Sequence, residues 1–322
     1  MPLNSFGIDL LLKMGCVCGK EMIFINNRRF YVRSSLGEGG FSLVDLIEDA
    51  RSHKNFALKR IKCHSKDDEN IALHEVKVMK LFKHPHIVPL IEYMLVPASK
   101  FAQNTDIYSE LHIVMPYYSR GSLQDRIEML ARKGDHIHED RLWEIFFGIC
   151  EGLKAMHSHS PPYAHRDLKP ANIMFADNNC PVLMDLGSSV MARTEIKTMS
   201  EARTLQDVAA ERCSMQYRAP ELFNVEKGSC IDERTDIWSL GCLLYALAFL
   251  ESPFEQDYQR GNSIALAVLG GNIKFPENSH YSKHLEMTVQ KLMAVNPMER
   301  PFIEQVCQAV SVARTDNAGH TM

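Results

Sequence analysis

The sequence predicts an α+β protein in two lobes, a small antiparallel sheet lobe with one helix followed by a larger helical lobe. Three observations predict it. The chain has 322 residues, roughly twice the ~150 of a usual domain. Its 45% apolar and 24% charged residues are those of a folded globular chain. The apolar period is strand-like from Met22 to about Val114 and mostly helical after Tyr117.

Charge and cysteine content exclude several classes. Lys and Arg total 36 against 40 Asp and Glu, a net charge of -4 without a long run of either sign, so no nucleic-acid partner is expected. The cysteines number nine, an odd count without Cys-x-x-Cys spacing, which fits reduced thiols in the cytosol better than a zinc or disulfide framework. Ile237 to Leu250 is the longest uncharged stretch; it falls short of the ~18 residues that span a bilayer and reads as a buried helix. Asp9 precedes the apolar Leu10 to Leu12 and no basic segment accompanies it, so a secretory signal is not expected.

In chain order, Met22 to Ile25 and Phe30 to Leu36 read as strands about Asn26 and Asn27, since Asn tolerates the positive φ of a tight turn. Ser42 to Ile47 and Asn55 to Ile61 read as further strands. Between Ser65 and Phe82 the spacing becomes helical, with Ile71, Val78, Met79 and Phe82 on a stripe and Ser65 with Asp68 as a capping box. Leu142, Ile145, Phe146, Ile149, Leu153 and Met156 make one helical stripe in the second lobe. Asp236 to Leu250, His284 to Met293 and Ile303 to Val312 are later helices, and the polar last ten residues read as a fraying tail.

Three motifs carry chemistry. Leu36-Gly37-Glu38-Gly39-Gly40-Phe41-Ser42-Leu43-Val44 is a glycine-rich turn between two strands; its backbone N–H groups can approach phosphate oxygens, although an ordinary hairpin turn has the same look. Lys59 lies on the apolar strand Phe56-Ala57-Leu58-Lys59, and Glu75 lies on the helix stripe four residues from both Ile71 and Met79. A carboxylate facing the sheet needs a cation such as Lys59, and two side chains that snorkel separately are the alternative. His165-Arg166-Asp167-Leu168-Lys169-Pro170-Ala171-Asn172, then Met184-Asp185-Leu186-Gly187, supply two carboxylates and an amide, oxygen ligands suited to magnesium shared with substrate phosphates.

The fixed order of these pieces resembles the protein kinases over roughly residues 30 to 310, and Ala219-Pro220-Glu221, Asp236 before Ile237-Trp238-Ser239-Leu240-Gly241, and Arg300 in Asn296-Pro297-Met298-Glu299-Arg300-Pro301 extend the resemblance. It implies a two-lobed kinase fold: a sheet lobe at about 30–114, a hinge at 115–121 and a helical lobe at 122–310, after an N-terminal extension at 1–29 and before a disordered tail at 311–322. It also implies an ATP-dependent enzyme acting on protein serine or threonine, because Lys169 follows Asp167 by two residues. Leu36, Gly37, Gly39, Ser42, Val44, Ala57, Lys59, Met115 and Tyr117 would bind nucleotide, with Lys59 held by Glu75. Asp167 would accept the proton of the substrate hydroxyl, assisted by Lys169. Asn172 and Asp185 would hold magnesium, with manganese an alternative because it accepts the same oxygen ligands. Arg166, Ser214, Glu221, Asp236 and Arg300 would be structural. The third loop glycine of the family is Ser42 here, and Leu186 stands where phenylalanine is usual. A nucleotide-binding scaffold without catalysis is the alternative.

Between Asp185 and Glu221, the stretch Thr204 to Arg212 has Leu205, Val208 and Ala209 at helical spacing, with Asp207 in the first turn. Arg166 is expected to be available for a phosphate on Thr198, Ser200 or Thr204. That helix, with Thr204-Leu205-Gln206-Asp207 and Tyr217-Arg218-Ala219-Pro220-Glu221-Leu222-Phe223, resembles the Numb-associated kinase family, and within it the members that carry myristoyl and palmitoyl groups. Met14-Gly15-Cys16-Val17-Cys18 fits that likeness. A start at Met14 would expose Gly15 for myristoylation and leave Cys16 and Cys18 for palmitoylation, placing the enzyme on the cytosolic face of Golgi or other membranes. Retention of Met1 to Lys13 would leave an idle Cys-x-Cys and a cytosolic protein.

Overall fold

The computed structural model describes residues 21–39, 42–97 and 106–318. The expected acylation residues Gly15, Cys16 and Cys18, together with Gly40 and Phe41 of the glycine turn, lie outside the described residues. The chain divides into two compact units, one holding Met1–Val76 and Leu90–Tyr117, the other Lys77–Pro89 and Tyr118–Met322.

The first unit is an antiparallel sheet of β1 (Met22–Ile25), β2 (Arg28–Glu38), β3 (Ser42–Asp49), β4 (Asn55–Cys63), β5 (Glu92–Pro97) and β6 (Ser109–Pro116), in spatial order β1-β2-β3-β4-β6-β5. Asn26 turns the first hairpin at φ 51°, as its residue type allows. Its amide donates to Glu92 Oε1 (2.7 Å) and to the Tyr93 carbonyl (3.2 Å), drawing the hairpin toward β5 around a core of Ile25, Phe30, Ile47, Leu58 and Val114. Side chains alternate between faces, so the pairings Val44↔Lys59, Ala57↔Met115 and Lys59↔Ile113 put Val44, Ala57, Lys59 and Met115 together on the face away from that core.

Helix α1 (Lys66–Leu81) buries Val78, Met79 and, just beyond its end, Phe82 as expected, and departs from the expected stripe at Ile71. Ile71 is 48% exposed, while Glu69, Ala72, Glu75, Val76 and Met79 are buried. The reason is polar. Glu69 accepts from Ser109 Oγ (2.8 Å) and Glu75 takes Lys59, so two carboxylates with partners on the sheet orient the helix and Ile71 rotates outward. Ser65 Oγ does accept from Asp68 N (3.1 Å), but the Asp68 carboxylate answers to His64 N (2.9 Å), one residue earlier than a capping box requires.

The second unit is built on α2 (Leu123–Lys133), α3 (Glu139–His157), α4 (Met199–Arg212), α5 (Arg234–Phe249), α6 (Glu255–Gln259), α7 (Ile264–Gly270), α8 (Lys283–Leu292) and α9 (Ile303–Ala318), with the short hairpin β7 (Tyr163–Ala164), β8 (Ile173–Phe175), β9 (Pro181–Leu183), β10 (Val190–Met191), β11 (Thr194–Glu195) and β12 (Cys230–Ile231) strands pairing in twos. The predicted apolar stripe of α3 is buried along its whole length, and nearly every residue of α5 is buried, so the uncharged stretch is a core helix. Helix α9 continues to Ala318, so the expected tail from residue 311 is helical over most of its length.

Buried charge organises this unit. Asp236, wholly inaccessible at the start of α5, accepts from His157 Nε2 (2.9 Å), from the backbone N–H of His165 (2.7 Å) and from that of Arg166 (2.9 Å). Arg300, also buried, makes two parallel 2.8 Å bonds to the Glu221 carboxylate and donates to the Ala294, Arg234 and Val295 carbonyls.

Two tests follow from this packing. A Cβ on Gly152 would sit 2.7 Å from the His86 carbonyl oxygen and 3.0 Å from Leu183 Cδ1. Gly152→Ala should therefore cost about 1–3 kcal/mol by overpacking, read as a lower calorimetric midpoint; an unchanged midpoint would refute the close contact. Burial alone would raise the Asp236 carboxyl, but the His157 hydrogen bond and the backbone donors hold it below its ordinary value. A depressed carboxylate stabilises the fold above the unfolded value of about 4 and loses that contribution as pH falls. Asp236→Asn should cost about 3 kcal/mol at neutral pH and flatten the acid limb of the stability–pH curve; a parallel curve would exclude Asp236 as its source.

Candidate active site

In the first unit Gly39 N donates to the Ser42 carbonyl (2.7 Å) and Ser42 N to that of Gly39 (3.3 Å). Leu36 falls where the β2–β3 register shifts between Ser35 and Gly37, and it is exposed. A Cβ on Gly37 would meet nothing within 4 Å, so this length of backbone is open to a ligand. Lys59 Nζ bonds both oxygens of Glu75, at 3.0 and 2.9 Å, with the carboxylate the more buried partner. Of the two readings of these residues, the structure has the direct pair. Met115 is buried at the end of β6, and Tyr117 follows it half-buried.

In the second unit a short hairpin brings together two motifs that are separate in sequence. Strands β8 and β9 pair Ile173 with Leu183, and Met184 N donates to the Asn172 carbonyl (2.9 Å). Asn172 and Met184-Asp185 therefore lie side by side. Asn172 Nδ2 donates to the Asp167 carbonyl (2.8 Å) and to its Oδ2 (3.0 Å). Asp167 Oδ1 accepts from Ser214 N (2.9 Å), and Oδ2 also takes Lys169 Nζ (2.8 Å). The carboxylate is thus fixed by three donors from three directions. Lys169 Nζ donates in turn to Ser214 Oγ (2.7 Å), so Ser214, expected to be structural, touches both ends of the Asp167–Lys169 pair.

The motif gives His165 no role of its own, yet its place is as specific as any. Its Nε2–H donates to the Met184 carbonyl (2.9 Å) while Nδ1 accepts from Asp167 N (3.3 Å), a pair of bonds that one tautomer satisfies. It ties the Asp167 loop to the strand end that carries Asp185. A ring between two backbone groups leaves no charge pattern in a sequence.

Asp185 has φ 53° and an exposed side chain, and Leu186 beside it is wholly buried. Arg166 sits where a structural residue would. It has φ 69°, is buried, and its Nη2 donates to the Ala192 carbonyl (3.3 Å). Thr198 caps α4 by accepting from Glu201 N (3.1 Å), in a complete capping box. Helix α4 starts earlier than expected because of that cap, so Asp207 is mid-helix; Val208 is exposed and Ala202 and Ala209 are buried. Gln206 Nε2 on the Phe223 carbonyl (2.8 Å) and Ser188 Oγ on that of Arg212 (3.1 Å) fasten it.

The donor set suits a hard cation. Asn172 spends its amide nitrogen inside the loop, which leaves the amide oxygen as a ligand, and the neighbouring Asp185 carboxylate reaches solvent. Among the described residues no three His, Cys, Asp or Glu side chains converge as a complete metal cage. Two oxygen ligands with room for water and phosphate are what magnesium requires.

The protein kinase domain model matches residues 30–310. Human serine/threonine-protein kinase 16 is 43% identical over 288 residues, covering 89% of this chain and 91% of that protein. The Schizosaccharomyces pombe serine/threonine-protein kinase ppk13 is 32% identical over 325 residues (91% and 92%), and the Saccharomyces cerevisiae serine/threonine-protein kinase ENV7 is 29% identical over 359 (94% and 97%). With a sheet unit, a helical unit and this ordered set of side chains, the chain belongs to the protein kinase family.

Proposed function

We propose that the chain transfers the γ-phosphoryl group of ATP to serine or threonine hydroxyls of protein substrates, as a member of the Numb-associated kinases. The observation that carries this is the Asp167 carboxylate, held by Ser214 N, Asn172 Nδ2 and Lys169 Nζ. A base so fixed can orient an alcohol and take its proton as the phosphorus–oxygen bond forms. Lys169, bonded to Asp167 and to Ser214 Oγ, supplies positive charge at that point and sets the serine/threonine preference by resemblance. Lys59, aimed by Glu75, would neutralise α- and β-phosphate oxygens, the backbone at Gly37, Gly39 and Ser42 would cover the phosphates, and Val44, Ala57 and Met115 would line the adenine side with Tyr117. Asp185 and Asn172 would hold magnesium or manganese, which when bound neutralises charge on the phosphate oxygens.

Asp167→Ala should lower phosphate transfer to a protein substrate by about 10³-fold while ATP binding, followed by calorimetry, is retained. If the unsubstituted chain is equally silent, the nucleotide-binding scaffold is the correct reading. Ser214→Ala should lower kcat by roughly ten- to a hundredfold through loss of positioning, with little change in the KM for ATP.

The same reading extends to location. Initiation at Met14 would make Gly15 the acceptor of a myristoyl chain and Cys16 and Cys18 acceptors of palmitate. Two such signals hold a protein stably on a bilayer where one does not, which would place the enzyme on the cytosolic face of Golgi or other membranes. Mass spectrometry of the N-terminal peptide from cells should find acylated Gly15; a peptide beginning at Met1 with free cysteines would refute it.

A further inference from the structure

Three arginines from three places in the second unit meet at one uncharged residue. Asn179, at φ 64° in the turn between β8 and β9, accepts at Oδ1 from Arg120 Nη1 (3.1 Å) and from Arg126 Nη2 (3.5 Å), and at its carbonyl from Arg141 Nη2 (3.2 Å). Arg120 precedes α2, Arg126 lies within it, and Arg141 is in the first turns of α3. Only Arg141 has a carboxylate, Glu144 at 2.6 Å. Among the described residues neither Arg120 nor Arg126 forms an ion pair.

Like charges gathered in this way are costly. The Arg126 guanidinium is pushed below its ordinary value by burial and by Arg141 and Arg120. It is held over the Phe175 ring at 3.6 Å from the centroid, a contact that fixes its plane. Arg141 stands near the amino end of α3, where the helix dipole adds to the positive potential. Each guanidinium offers five N–H donors, and the protein engages one of Arg120 and one of Arg126. The donors left over share one neighbourhood, because both side chains already reach the same oxygen.

We propose that Arg120, Arg126 and Arg141 form a site for one phosphate-type oxyanion, supplied by a phosphoserine or phosphothreonine of a partner protein. Guanidinium forks match the spacing of phosphate oxygens and bind them in pairs. Three guanidiniums that converge on one residue match a single phosphomonoester rather than a plane of headgroups. Glu144, bonded to Arg141, opposes an extended anionic surface, which favours a protein source over a lipid one. Occupancy needs no catalytic turnover, so this site stands or falls independently of the proposed phosphoryl transfer.

The test is fluorescence anisotropy of a labelled Ala-Gly-phosphoserine-Gly-Ala peptide and its unphosphorylated counterpart, titrated with the full chain in the absence of ATP. The phosphopeptide should bind at least tenfold more tightly, and inorganic phosphate should compete. Arg120→Ala and Arg126→Ala should each erase the difference. Arg126 packs on Phe175 and its loss could weaken the fold, so Asn179→Asp is the decisive variant. A carboxylate there would pair with the arginines, leave the thermal midpoint equal or higher, and abolish phosphopeptide binding. Equal binding of the two peptides, or discrimination that survives Arg120→Ala and Asn179→Asp, would overturn the proposal. So would binding confined to phosphatidylcholine vesicles doped with phosphatidylinositol 4-phosphate.

Discussion

A charge removed from water must find partners, and the candidate site is built from carboxylates that have been given them. Asp236 is the most demanding. Fully buried, it would be unstable as an anion without the donors of His157, His165 and Arg166. Because two of those donors are backbone N–H groups immediately before Asp167, satisfying Asp236 fixes the path of the chain into the catalytic loop. The left-handed conformation of Arg166 is the local cost of that path, and it is held by bonds on both sides: its own N–H to Asp236 and its guanidinium to Ala192.

The same logic repeats at lower burial. Glu75 and Lys59 join helix α1 to strand β4, and Glu221 and Arg300 join the segment after α4 to the loop before α9. The Arg300 pair is bidentate and its remaining donors go to three carbonyls, so no part of the buried guanidinium is left unmet. Asp167 differs in kind. Its partners also fix it, but they approach from the loop and from Ser214, so one anion is both structurally satisfied and chemically usable.

Much of this was legible in sequence wherever one strong local rule operated. The apolar stripe of α3, the Asn26 turn, the uncharged α5 and the order of the chemistry-bearing motifs each rest on local spacing or residue type. On α1 the expected face holds at Glu75, Val78, Met79 and Phe82 and fails at Ile71, because the partner of Glu69, Ser109 on the sheet, leaves no trace in the apolar period. The start of α4 was missed because Thr198 and Glu201 form a cap outside the apolar pattern. Ser214 and His165 were underrated for another reason. Their importance lies in contacts across tens of residues, which no spacing rule within a motif encodes.

The β8–β9 hairpin shows how one turn can serve two ends. On one side, its register aligns Asn172 with Met184 and so sets Asp185 beside the Asp167 loop. On the other, the left-handed residue that closes it, Asn179, presents both its carbonyl and its side-chain oxygen to arginines of α2, α3 and the segment before α2. Asparagine is suited to both demands, since it tolerates positive φ and carries an amide acceptor without charge. Aspartate in that position would neutralise the arginines, and glycine would turn the chain but hold only Arg141, through the backbone. A neutral acceptor keeps three guanidiniums in place and leaves those of Arg120 and Arg126 without a carboxylate. The strand pairing that aligns the candidate metal ligands therefore also sustains the concentration of positive charge at the other end of the hairpin.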